Sequence, residues 1–145
     1  MNRTTIILLL TIMMSIVACT VEPKKINYGE DACHYCSMTI VDRQHAAEIV
    51  TKKGKAFKFD ATECMIRHIQ EIDSSTIALY LTSDYLNPES LIDAKTASYI
   101  ISEQIPSPMG AFLSATKLKE GAEQLRMDKG GELYNWGELL TNFKK

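Results

Sequence analysis

Cys33 and Cys36 stand as Cys-x-x-Cys in the stretch "DACHYCSMTIVDRQHAAEIV", with His34 between them and Met38 two residues on. Four chemistries use such a pair: a disulfide, a zinc clip, a redox couple, or a site for a softer metal. A Cys33–Cys36 disulfide closes a tiny loop and stabilises little. Structural zinc takes four ligands, usually as two pairs, and no second Cys-x-x-Cys or His pair accompanies this one. A redox pair sits at a helix N-terminus, where the dipole lowers a thiol pKa. Here the pair follows a polar stretch, and "SMTIVD" does not read as a helix. The fourth chemistry also uses the methionine: thiolates and thioethers are soft donors that select Cu(I) over hard cations. In extended backbone Cys36 and Met38 point to the same face.

Most methionines fill cores, and Met65 falls on a buried helical stripe. Met109 differs, because "IPSPMGAF" places it between Pro108 and Gly110 in a stiff loop, where it is a candidate second soft ligand. Met127, near a helix end, says nothing. His34 reads as a surface histidine and His45 as incidental. Cys64 and His68 are four apart on one helix and could share a ligand, although an inert buried thiol is the usual state of such a cysteine. Asp31 and Asp60 read as second acceptors near the site or as simple caps.

Elsewhere the chain says where these groups work. Arg3 precedes "TTIILLLTIMMSIVAC", a short apolar run of the kind that directs export. It is too short and too abruptly ended for a good spanning helix. "SIVAC" resembles a bacterial lipoprotein processing site, with Cys19 as the acylated first residue of the mature chain. Several acyl chains give stable anchoring where one gives only marginal binding. Removing Cys19 from the four cysteines leaves three thiols. An odd number is awkward for a pure disulfide framework in an oxidising compartment. A formal net charge of −2 offers no basic field for nucleic acid. With 46% hydrophobic and 23% charged residues the composition is globular.

The expected organisation is a signal peptide over 1–18, a lipidated Cys19 with a polar tether to residue 30, and a folded domain over 31–145. "HAAEIVTKKGKAFKFD" predicts a hairpin turning at "KKGK". Asp60 and Glu63 predict a capping box, and Ala61, Met65, Ile69 and Ile72 form one helical stripe. "TIALYLTSDY" predicts a strand. The second half offers "LIDA", "ASYII" and "GAFLSA" as extended pieces. A helix follows, with Thr116 capping it, Leu118, Ala122 and Leu125 inward, and Gly130 ending it. "ELYNW" is a last strand. The expected class is α+β: two small related ββαβ units, about 31–86 and 87–145, with antiparallel strands and helices packed on them.

These segments, in this order, resemble the NosL family of lipoprotein copper chaperones. "DACHYCSMTIVDRQHAAEIV", "GKAFKFDATECMI", "LIDAKTASYI" and "SPMGAFLSA" carry the resemblance, over about Asp31 to Trp136. It implies two ββαβ units and a chain exported to the periplasmic side of a bacterial membrane, held there by lipid on Cys19. It implies Cu(I) at Cys33, Cys36, Met38 and Met109, with Asp31 close by; beside it Cys64 is kept as a weaker metal candidate, and a second metal ion is left open. The implied partners are nitrous oxide reductase, whose copper–sulfur centre would receive the metal, a membrane ABC-type transporter, and periplasmic accessory proteins. Family members often have glycine where this chain has Ser37. The expected function is therefore a metallochaperone and not an enzyme. The rivals are a lipid-anchored thiol–disulfide oxidoreductase using Cys33 and Cys36, a zinc-binding module, and a copper chaperone for another exported cuproenzyme.

Overall fold

A computed structural model describes residues 20–144; the apolar leader and Cys19 lie outside the described residues. Two antiparallel sheets form the frame. The first has the order β2-β1-β3-β4, built from β1 (Ala47–Thr51), β2 (Ala56–Phe59), β3 (Ile77–Asp84) and β4 (Asn87–Asp93). The second has the order β6-β5-β7, from β5 (Ser98–Ile101), β6 (Leu113–Thr116) and β7 (Glu132–Tyr134). Helix α1 (Thr62–Glu71) joins β2 to β3, α2 (Lys119–Lys129) joins β6 to β7, and α3 (Trp136–Asn142) ends the fold. The class is α+β, and each half runs strand, strand, helix, strand. Among the described residues no helix is long and apolar enough to cross a membrane.

β1 is a central strand covered on both faces, so its alternation is lost and even Glu48 is fully buried. α1 sits between two cores. Met65 and Ile69 enter the first, with Ile40, Ile49, Phe59 and Tyr80. Ile66 enters the second, with Tyr99, Leu113 and Leu139. Each such side chain, fully removed from water, contributes roughly 1.5–3 kcal/mol, so α1 is fixed from two sides. His45, expected to be incidental, is buried and ties the halves together: Nδ1 meets Asp42 at 2.9 Å and Nε2 meets Ser114 of β6 at 3.0 Å.

Several expectations need correction. The 19–30 stretch reads as a tether, yet Ile26 is buried in the first core and the Lys24 amide donates to Glu48 Oε1 at 2.8 Å. Lys58 Nζ also bonds the Lys25 carbonyl. The ordered packing thus begins near Lys24, because a buried acceptor on β1 captures the polar segment. "LIDA" belongs to β4, which pairs with β3, so the first sheet extends past residue 86. The capping box at Asp60 does not form: Ala61 is the N-cap, without a side-chain bond. Thr116 does not cap α2 either, since its hydroxyl donates to the Leu118 carbonyl and Leu118, outside the helix, is exposed. A capping box does close between Asn135 and Glu138, on a helix the hydrophobic pattern did not announce.

Candidate metal centre

Three short pieces of chain meet at the open end of the first core. The first is the loop from Ala32 to Thr39, whose ends form an antiparallel bridge. Inside it the Cys33 amide donates to the Met38 carbonyl at 2.7 Å and the Ser37 amide to the Cys33 carbonyl at 2.9 Å. The loop therefore folds back on itself and brings Cys36 over Cys33. Ser37 makes this turn at φ 64°, the left-handed region that disfavours a side chain. The second piece is Asp60, between β2 and α1. The third is the first turn of α1, which supplies Cys64.

Sγ of Cys33, Cys36 and Cys64 and a carboxylate oxygen of Asp60 all lie within 4.8 Å of one another. Cys33 and Cys64 are buried, Cys36 is half-buried, and all three thiols are free. Asp60 is buried; Oδ1 lies 3.5 Å from the Cys36 sulfur and Oδ2 has no partner among the described residues. A buried carboxylate oxygen without a hydrogen bond is costly, which suits a group that finds its partner in a cation. The donor set, three sulfurs and an oxygen in one cup, fits a thiophilic ion.

The thiols are not equivalent. A hydrogen bond from Cys64 pulls Cys33 down to about 6; the backbone amides of Cys36, Asp60 and Tyr35 help, against the opposing effect of burial. The same bond pushes Cys64 up, and burial and the nearby Asp60 add to it. Burial also raises Cys36, against the Met38 amide. These opposed shifts favour the thiolate on Cys33 over Cys64 and Cys36.

The other sequence candidates scatter. Asp31 is turned away: its carboxylate pairs with Lys58 at 2.7 Å and accepts the Asn27 amide at 2.7 Å, so the acid of the cup is Asp60. Met38 is 51% exposed beside the cup. Met109 is half-buried against the core cluster that holds Cys33, Cys64 and Met65. His34 stays out of the thiol group. Its ring rests on Phe57 at 4.4 Å and meets His68 at right angles at 4.9 Å. Burial holds His68 below its ordinary value, with His34 adding to it and Glu71 opposing. Cys64, a weaker candidate in the sequence, stands inside the group, and Asp60, read as an acceptor near the site or a cap, stands there with it. Asp60 precedes the N-cap Ala61 and Cys64 lies in the first turn, so the start of α1 brings the two together.

Compared with known proteins, residues 23–143 match the family model for NosL. The chain belongs to the NosL family. A crystal structure of the copper chaperone NosL from Shewanella denitrificans superposes with a TM-score of 0.71 at 22% identity, covering 82% of this chain and 96% of that one. At that identity the likeness speaks for the fold. No curated protein matches in sequence. Ser37, where the resemblance led one to expect glycine, takes a positive φ that glycine adopts without strain. The Cys-x-x-Cys of this NosL chain lies in a turn and not in the first turn of its own helix, the usual seat of a redox pair.

Proposed function

We propose that this protein is a metallochaperone that carries one Cu(I) in the cup of Cys33, Cys36, Cys64 and Asp60, with Met109 and Met38 as thioether donors. The observation that carries this is the convergence of three thiols and a carboxylate within 4.8 Å, with Met109 packed against the same core cluster and Met38 two residues past Cys36. Soft sulfur donors favour Cu(I). The wall is buried, so water competes poorly, while half-buried Cys36 and exposed Met38 remain open to an incoming partner. Hand-over then needs only ligand exchange: donors of the recipient replace Cys36 and Met38 first, and copper leaves without changing oxidation state.

Delivery to nitrous oxide reductase, with a membrane ABC-type transporter and periplasmic accessory proteins, is the reading supported by family membership. Lipid anchoring at Cys19 on the periplasmic side is supported by "SIVAC" and the apolar run before it. A second reading is a zinc site, favoured by Asp60, because three thiolates and a carboxylate are also acceptable to Zn(II).

The test is an anaerobic competition titration of a soluble form, residues 20–145, against a chromogenic Cu(I) chelator, with Zn(II) run in parallel. One Cu(I) per chain should resist the chelator, and Cys36→Ser and Met38→Ala should each weaken it. Preference for Zn(II), with indifference to both methionines, would sink the copper reading.

A further inference from the structure

The segment that carries Met109 is held by a buried acid of α1. Its neck closes where the Ser102 amide donates to the Phe112 carbonyl at 3.0 Å, and its tip turns where the Gly110 amide donates to the Ser107 carbonyl at 2.9 Å. Gly110 and Phe112 both take positive φ, 71° and 58°. A non-glycine residue there persists only when its surroundings hold it. The hold comes from Glu63. This side chain is fully buried on the first turn of α1; its Oε1 accepts the Ser107 hydroxyl, and the Ala111 amide faces it. Oε2 has no partner among the described residues. An apolar residue would fill the same space without that desolvation cost.

We propose that Glu63 is a positioning residue: through Ser107 it latches the 102–112 segment to α1 and sets Met109 over the thiol cup. The inference rests on Met109 being a copper ligand. The latch and the thiol are consecutive residues, Glu63 and Cys64, so one helical turn fixes the thiol of the first half and the thioether of the second. The matching residue of the other helix makes the contrast. α1 and α2 both open three residues after their strands end, which places Glu120 opposite Glu63, and Glu120 is exposed.

The test is a double-mutant cycle on the 20–145 form, whose described residues contain both sheets and both cores. Ser107→Ala and Glu63→Gln are each made alone and with Met109→Ala, and Cu(I) affinity is read by chelator competition. Met109→Ala is expected to weaken Cu(I) by about 10-fold or more and Ser107→Ala by several-fold, the scale of losses seen when a ligand's support is removed. In the Met109→Ala background Ser107→Ala should add nothing, because non-additivity marks residues that act through one another.

A copper-free readout separates a latch from general loosening. In the apo protein, peroxide oxidation of Met109 should accelerate in Ser107→Ala while oxidation of core Met65 stays slow. Additive losses in the cycle, or Met109 oxidising at the wild-type rate in both variants, would overturn the latch. If Met109→Ala itself leaves Cu(I) binding intact, the ligand assignment falls and the latch with it. If Met109→Ala weakens binding and neither support variant does, the latch alone falls.

Discussion

The two halves are built alike and equipped differently. β2 and β6 hold the same place in their sheets, pairing with β1 and β5 in the same direction, and each leads three residues later into a helix. Aligning Phe59 with Thr116 by that pairing sets Asp60 opposite Lys117, Cys64 opposite Gly121, Met65 opposite Ala122, and Glu48 opposite Tyr99. The first half has therefore placed its acid and its helical thiol where the second has a lysine and a glycine. The second half contributes a loop methionine instead. One half makes a cup, and in the proposed site the other lays an arm across it. Shared topology fixes where a strand hands over to a helix, and the side chains at that hand-over decide whether the corner does chemistry.

The sharpest way to break the comparison is to make the first corner resemble the second. Cys64→Ala removes a proposed ligand and the hydrogen bond that holds Cys33 near 6. Cu(I) affinity is expected to fall by about 100-fold or more, beyond the 10–100-fold typical of losing a ligand's support. In the apo protein the thiolate ultraviolet absorbance that titrates near pH 6 should move toward the ordinary thiol value of 9.0. A depressed Cys33 stabilises the fold above the unfolded pKa, and that contribution is lost as pH falls through about 6. Wild-type apo protein should gain stability between pH 6 and 9, and Cys64→Ala should gain less. A titration unchanged in Cys64→Ala would show that the backbone amides alone hold the thiolate.

Next in size is Met65→Ala, which copies Ala122. Met65 is fully buried beside Cys64, and the deletion leaves a cavity between α1 and the first sheet. The expected loss is about 2–5 kcal/mol by urea denaturation. A loss well below that would mean the first core can collapse around the gap.

How much of this could be read in the sequence depends on what each residue had to announce. The ββαβ order was legible because "AEIVT", "KAFKF" and the Ala61–Met65–Ile69 stripe carry their own periods. The Cys33–Met38 motif was legible because its donors are close in sequence. Asp60 was not, because an acid before a helix has a common structural use, and only the folded-back loop shows that the cap is missing and a sulfur lies near. β4 misled because "LIDA" looks the same whichever sheet it joins; its pairing with β3 is a long-range fact. Glu63 was read as half of a capping box for the same reason, and its partner Ser107 is 44 residues away.

A smaller effect tests the buried strand. Glu48 stands where the second sheet has Tyr99, and burial raises its carboxyl above the ordinary 4.5, against the Lys24 amide and Lys58. Ionising it costs more in the fold than in the unfolded chain, so this group's contribution to stability falls as pH rises from 4.5 through the folded value. Glu48→Gln keeps an oxygen for the Lys24 amide and removes that cost. The variant should melt a few degrees higher than wild type at pH 8 and no higher at pH 4. A lower melting point at both would mean that the carboxylate's contact with Lys24 outweighs its desolvation.

The smallest expected effect asks whether the second corner was ever closed to a side chain. A Cβ on Gly121 would lie 2.7 Å from Cδ1 of Leu86, inside normal carbon contact. Yet Leu86 is 55% exposed, and its tip can rotate toward solvent. Replacing a helical glycine by alanine gains about 1 kcal/mol, and displacing one leucine rotamer costs roughly half of that. Gly121→Ala should therefore stabilise by about 0.5 kcal/mol, and Gly121→Ala with Leu86→Ala should recover most of the remainder of the helix gain. If Gly121→Ala destabilises instead, Leu86 is pinned, and the second corner lacks a thiol because it lacks the room. If it stabilises as expected, there was room, and what separates the two corners is the chemistry of their side chains.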